Sequence, residues 1–312
     1  MWLGLGLIAG LILLFLGGDW LVRGASRLAE SMGISPLIVG LTVVAVGTSA
    51  PELLVSLSAA LSGSSDIAVG NIVGSNIANI GLILGLSGLI SPINVHVTLV
   101  KREIPIMLFV ALLSWVLFRD STLSRIDGVV LLFGLVAFNV FIVIMSRREP
   151  STTTETASAP VSVQRGRELL RLGIGIAGLM LGAQLTVSNA TELARAFGVS
   201  ELVIGVTLVA VGTSLPELVT SVTAALRRES DIAIGNVVGS NIFNVLGILG
   251  VTALIQPMDV ARQTITVDTL VMIAFSLLLL PFILDRRLGR VESGLFLLAY
   301  LAFTIYTVLI VS

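Results

Sequence analysis

Two glutamates sit in a repeated octapeptide whose other members are oxygen donors. Ala45-Val46-Gly47-Thr48-Ser49-Ala50-Pro51-Glu52 and Ala210-Val211-Gly212-Thr213-Ser214-Leu215-Pro216-Glu217 each interrupt an apolar run near its middle. Pro51 and Pro216 lack an amide hydrogen and clash with the preceding turn, so a helix should break at each. Carbonyls around Ala45 to Thr48 and around Ala210 to Thr213 are then expected to lose their usual partners. Freed carbonyls, threonine and serine hydroxyls and one carboxylate per copy make the hard-oxygen set that sodium or calcium requires. Ser49 with Glu52, and Ser214 with Glu217, also have the spacing of a capping box that would restart each helix. That reading covers the serines. It does not cover a carboxylate at mid-span, where a charge costs about 2.5–3.5 kcal/mol on insertion scales and marks an ion path.

A second repeated segment supplies neutral donors. Gly70-Asn71-Ile72-Val73-Gly74-Ser75-Asn76-Ile77-Ala78-Asn79 is matched by Gly235-Asn236-Val237-Val238-Gly239-Ser240-Asn241-Ile242-Phe243-Asn244. Asn71, Ser75 and Asn79 recur every fourth residue, as do Asn236, Ser240 and Asn244, so each trio lines one helix face. Such a ladder can bond helix to helix or coordinate an ion. Pairing with the glutamates in both copies favours coordination by Ser75, Asn79, Ser240 and Asn244. Gly70 with Gly74, and Gly235 with Gly239, permit close helix approach. Asp66 and Asp231 have the position of helix N-caps, Asp19 stands one turn from Arg23, and His96 falls in a loop.

The elements that position these residues are membrane spans. The 312 residues are 55% hydrophobic and 12% charged, with a mean hydropathy of +1.06, far too apolar for a soluble domain of this length. Apolar runs of about 20 residues suit helices crossing the bilayer, and no ten-residue alternation suggests a barrel. Ten runs are expected, five on each side of a Ser-, Thr-, Ala- and Pro-rich stretch that cannot bury a core. The fold class is therefore an all-α integral membrane protein: a first five-helix repeat over 1–146, a cytoplasmic linker over 147–168 and a second repeat over 169–312. A shift of 165 residues aligns Gly33–Ile90 with Gly198–Ile255 without a gap, with 35 of 58 positions identical, which establishes a duplication.

An odd number of spans per copy makes the copies enter from opposite sides, the inverted repeat of many secondary transporters. Basic residues agree. With the amino terminus outside, the cytoplasmic loops hold 14 of the Lys and Arg residues, and the outer loops only Arg119, Arg125, Arg195 and Arg262. Both termini are expected outside, in the cell (inner) membrane. Scattered arginines give no nucleic-acid stripe, and the absence of cysteine excludes disulfides and thiolate metal sites. No cofactor and no obligate protein partner are expected.

At these two motifs the chain resembles the cation/calcium exchanger superfamily, specifically prokaryotic sodium/calcium exchangers. The resemblance implies sodium and calcium as transported ions, competing at Glu52 and Glu217. It places the surrounding ligands at the carbonyl of Ala45, Thr48, Ser49, Ser75 and Asn79, and at the carbonyl of Ala210, Thr213, Ser214, Ser240 and Asn244. Some relatives, including the potassium-dependent branch, carry aspartate where this chain has Asn244, so potassium independence is expected. With two carboxylates, one calcium neutralises the site and three sodium ions leave it at +1, the arithmetic of electrogenic exchange. A linker of about 20 residues is too short for the calcium-sensing domain that animal relatives insert there. A calcium/proton antiporter using the same glutamates is the alternative, with a passive channel behind it. An intramembrane protease lacks a base within either motif to activate Ser49 or Ser214.

Overall fold

A computed structural model describes residues 2–148, 165–197 and 210–311. In the first half α1 (Trp2–Met32) leads to a bent pair, α2 (Pro36–Thr48) and α3 (Ala50–Leu61). Then come α4 (Ser65–Ile90), strand β1 (Ile93–Asn94), α5 (Ile104–Leu117), β2 (Thr122–Leu123) and α6 (Arg125–Arg148). The second half follows the same order: α7 (Arg165–Ala196), α8 (Ala210–Thr213), α9 (Leu215–Leu226), α10 (Ser230–Ile255), β3 (Met258–Asp259), α11 (Thr264–Phe282), β4 (Arg287–Leu288) and α12 (Arg290–Val311). Most of the expected linker, and the first third of the seventh expected span (201–226), lie outside the described residues.

Seven of these helices are long and apolar enough to cross a bilayer, and the bent pair α2–α3 makes an eighth. The protein is thus an all-helical, multi-pass membrane protein. Two further apolar helices are shorter, α5 with 14 residues and α9 with 12. Burial orders them: 72% of the apolar window of α4 and 78% of that of α10 are enclosed, against 33% for α1, 28% for α7 and 11% for α12. The motif helices therefore form the core, and α1, α7 and α12 face outward.

The two halves are joined by contacts that come in pairs. Strand β1 pairs antiparallel with β4, Ile93 opposite Leu288, and β2 with β3, Leu123 opposite Met258. A shift of 165 residues turns one pair into the other. Helices α1 and α7 lie against each other antiparallel along a glycine seam. A methyl group added at Gly17 would lie 2.7 Å from the amide nitrogen of Leu179, at Gly182 2.7 Å from that of Leu14, and at Gly175 2.7 Å from that of Leu21. Backbone thus touches backbone over two turns, which only residues without a side chain permit.

The loop between α3 and α4 shows how the copies diverged. Gly63 adopts a left-handed conformation there, and Arg228 takes the same conformation in the second copy. For a residue with a Cβ that costs about 1–2 kcal/mol. The basic sequence is kept despite the strain, and it docks the loop on α1: Arg227 pairs with Asp19, which also holds Arg23 at 3.0 Å, and Ser26 donates to Glu229 at 3.0 Å. Asp66 and Asp231 stand in the first turns of α4 and α10, after Ser64 and Glu229, and do not occupy the cap position. Their charge still suits the positive end of a helix.

The glycine seam is testable. Gly17→Val or Gly182→Val should cost about 1–3 kcal/mol by forcing the backbones apart, lowering the melting temperature in detergent. Gly4→Val, where nothing lies within 4 Å, should leave it unchanged.

Candidate cation site

Each octapeptide breaks its helix at the serine. Ser49 (φ −82°, ψ 9°) and Ser214 (φ −87°, ψ 7°) leave the helical region, and α2 and α3 meet at 44°. Pro51 cannot donate to the Gly47 carbonyl four residues back, nor Pro216 to that of Gly212. The Ala45 carbonyl, expected to be freed, keeps a helical partner in the Ser49 amide at 3.0 Å and also lies 3.3 Å from the Thr48 hydroxyl. Ala210 is the first described residue of α8. The glutamates fall in the first turn of the restarted helices α3 and α9, where the helix dipole offsets part of their charge.

Both serines occupy the N-cap position but neither hydroxyl makes a capping hydrogen bond, so the capping-box reading fails. Their hydroxyls cross to the other half instead. Ser49 donates to Glu217 Oε1 at 2.8 Å, and Ser214 lies 3.1 Å from Glu52 Oε1 and 3.3 Å from the Ser75 hydroxyl. Thr48 stands near the Glu217 carboxylate and Thr213 near that of Glu52. Thr48 is fully enclosed and Thr213 half-buried. Glu52 and Glu217 are 0% and 1% exposed, and they are near enough to repel one another.

The polar ladders split into two functions. Asn71 Nδ2 lies 3.0 Å from the Ser56 hydroxyl and 3.4 Å from the Glu52 carbonyl, and Asn236 stands in the same relation to Ser221 and the Glu217 carbonyl. These asparagines brace α4 on α3 and α10 on α9. Asn236 Oδ1 also accepts from Thr48 at 3.0 Å. Asn79 and Asn244 instead open a wide, π-type turn in α4 and α10, a distortion that recurs at functional positions.

Two residues outside the expected set hold that turn. Asn76 donates to the Asn241 carbonyl at 3.1 Å and Asn241 to that of Asn76 at 3.3 Å. Asn79 Nδ2 donates to Asn241 Oδ1, and Asn244 Nδ2 to Asn76 Oδ1, both at 2.9 Å. The amide ends of Asn79 and Asn244 are thereby tied down and their carbonyl ends released. Asn76 and Asn241 were visible as identities between the copies, but they lie about 100° around the helix from the ladder face, toward the other half.

What remains is a set of enclosed oxygens with no hydrogen-bond partner among the described residues: Glu52 Oε2, Glu217 Oε2, Asn79 Oδ1, Asn244 Oδ1 and the Ser240 hydroxyl. No basic side chain contacts either carboxylate in the described hydrogen bonds and ion pairs. Among the described residues, no three acidic, histidine or cysteine side chains cluster as a metal site would. The donor set is two carboxylates among neutral oxygens, the chemistry of a hard cation.

A family model described as sodium/calcium exchanger protein matches residues 2–144 and 168–309. The chain belongs to this family. It is 36% identical to the sodium/calcium exchanger MaX1 of Methanosarcina acetivorans over 96% of both chains. It is 42% identical to the inner membrane protein YrbG of Escherichia coli over 87% of this chain and 86% of the relative. Among solved structures it resembles the sodium-calcium exchanger NCX_Mj soaked with sodium and calcium, with a TM-score of 0.85 and 38% identity over 97% of each chain. A sodium/calcium exchanger fold thus accounts for both halves and for the symmetric meeting of their motifs.

The asparagine square carries its own test. Asn76→Ala or Asn241→Ala should each cost about 1–3 kcal/mol by leaving enclosed amides unpaired. The double variant should cost clearly less than the sum, because each asparagine serves the other. Thermal unfolding of the three variants reads both quantities.

Proposed function

We propose that this exchanger is a secondary antiporter that carries sodium and calcium in opposite directions by alternating access. The two ions compete for one site made of Glu52, Glu217, Thr48, Thr213, Ser49, Ser214, Ser75, Ser240, Asn79, Asn244 and the carbonyls of Ala45 and Ala210. The observation that carries this reading is the set of enclosed, unpartnered oxygens around two carboxylates that receive hydroxyls from the opposite half. Membership of the sodium/calcium exchanger family, and the likeness to a structure soaked with both ions, support the choice of ions.

Charge arithmetic supports an electrogenic cycle, since two carboxylates bind one calcium to neutrality and three sodium ions to +1. Asn244, an amide where a third carboxylate would add charge, supports potassium independence. The moving part is the glycine-seamed pair α1–α7, the start of each repeat, sliding over the motif helices. The pair lies outside the core, with 33% and 28% of its apolar windows enclosed against 72% and 78% for α4 and α10. Both helix breaks meet α7 closely through a glycine, Gly47 against Ile176 and Gly212 against Val187, so a shift of α7 would be felt at the breaks.

Ten spans follow if α8 and α9 complete one span with the residues before them, and α5 another with the turn Leu99–Glu103 that precedes it. The antiparallel run of α1 against α7 supports inverted repeats. Loop charge supports a basic cytoplasmic face with both termini outside, and the inner-membrane relative supports that location.

Vesicles loaded with sodium and diluted into sodium-free buffer should accumulate radioactive calcium. An imposed inside-positive potential should speed uptake, because three sodium ions leaving for one calcium entering carry one positive charge outward. Glu52→Gln and Glu217→Gln should each reduce uptake at least 100-fold, since the lost charge is one of two that hold the divalent ion. Unchanged uptake in both variants sinks the site assignment, and uptake driven by a pH gradient without sodium would replace sodium by protons as the coupling ion.

A further inference from the structure

Where α1 ends and α7 begins, a cleft of about 400 Å³ lies between the two helices. It is walled by Trp20, Arg23 and Arg27 of α1 and by Arg167, Arg171 and Ile174 of α7. The cation site uses none of these residues. Because the helices are antiparallel, their basic ends lie on the same side of the membrane, as the 4.0 Å approach of Arg27 to Glu168 confirms.

The cleft has more positive charge than its carboxylates can balance. Glu168 accepts both oxygens' worth of bonds from Arg171 at 2.8 Å, and Arg27 reaches it only at 4.0 Å. Asp19 is shared between Arg23 and Arg227. Arg167 has no acidic partner among the described residues. Four guanidinium groups line the cleft, and the two carboxylates paired with them are Glu168 and an Asp19 already shared with Arg227, an excess of positive charge that calls for an anion. One turn further into the membrane the lining turns apolar: Trp20 and Ile174 are each 44% exposed on the outer surface, beside Leu16 and Leu170.

A guanidinium rim above an aromatic and aliphatic floor, at the level where tryptophan marks the bilayer interface, matches one ligand chemistry. Arginine forks pair bidentately with phosphate oxygens, and basic pockets between membrane helices hold acidic headgroups. We propose that this cleft binds the headgroup of an anionic phospholipid, with its phosphodiester on Arg23, Arg27 and Arg167 and its acyl chains running along Trp20 and Ile174. Free phosphate would meet the same guanidinium groups but gain nothing from the apolar floor. The site rests on the membrane-spanning fold and not on which ions are exchanged. Its position on the α1–α7 pair puts a lipid on the outer flank of the helices assigned to move.

Native mass spectrometry of the full chain in detergent, titrated with phosphatidylglycerol, phosphatidylcholine or inorganic phosphate, tests this. Phosphatidylglycerol should bind at least ten-fold more weakly to the variant combining Arg23→Gln, Arg27→Gln and Arg167→Gln. Arg286→Gln with Arg287→Gln, which removes basic charge elsewhere, should leave binding as in the wild type. Equal binding by the cleft variant, or equal binding of phosphatidylcholine by the wild type, overturns the proposal. Displacement of the lipid by millimolar phosphate would make it a free-phosphate site and overturns it too. If the cleft variant does not fold, a photoreactive phosphatidylglycerol on the wild type must crosslink to α1 and α7 around Trp20 and Ile174. Crosslinks confined to other helices overturn the assignment.

Discussion

Two carboxylates, Glu52 and Glu217, are enclosed within the helical core with no basic side chain against them among the described residues, and the hydrogen bonds that cross between the halves answer that constraint. A single buried carboxylate without a counter-charge would cost several kcal/mol after relaxation, and two in mutual repulsion more. The chain offers only partial relief. It places each glutamate at the start of a helix, where the dipole favours negative charge, and supplies a serine hydroxyl to each from the opposite half. Those devices satisfy one oxygen of each carboxylate and leave the other open. On the proposed reading the cation completes the balance, so occupancy by positive charge is a condition of the enclosed state.

The crossed pattern of serines also explains why the duplication is retained. Ser49 serves Glu217 and Ser214 serves Glu52, so neither half can complete its own carboxylate. The asparagines repeat the logic: Asn79 is oriented by Asn241, and Asn244 by Asn76. A hydrogen bond inside one half would hold regardless of how the halves are arranged. One that crosses the symmetry axis holds only when both copies are seated, which makes the donor set a property of the assembled pair.

The sequence displayed some of this and concealed the rest for physical reasons. The glutamates were legible because a charge inside an apolar span has few structural explanations. Ser75, Asn79, Ser240 and Asn244 were legible from their four-residue period, which is local. Asn76 and Asn241 were not, because their partners are 165 residues away and no period within one helix reveals which face meets the other half. The serines were ambiguous for the same reason: a capping box and a cross-half bond use the same residues, and only the tertiary arrangement separates them. The helix break was legible from Pro51 and Pro216, yet its consequence was misplaced. The Ala45 carbonyl still accepts the Ser49 amide, because proline withdraws a donor only from the residue four positions before it, here Gly47.

The same separation of local and long-range determinants governs what can move. The core helices α4 and α10 are fixed by side-chain hydrogen bonds that cross between halves and have few alternative partners. Helices α1 and α7 are held to each other by backbone contact at Gly17, Gly175 and Gly182, and to the loop after α9 by the Asp19–Arg227 pair and the Ser26–Glu229 bond. That seam lies within the pair, so on the proposed reading α1 and α7 would shift over the core as one unit. Among the described residues the polar ties occur at this loop in the second copy and not at the α3–α4 loop, where Ser62 and Gly63 stand in place of Arg227 and Arg228. The two copies are therefore latched unequally among the described residues, and on the proposed alternating-access reading that asymmetry would bias the equilibrium between the two openings through residues outside the cation site.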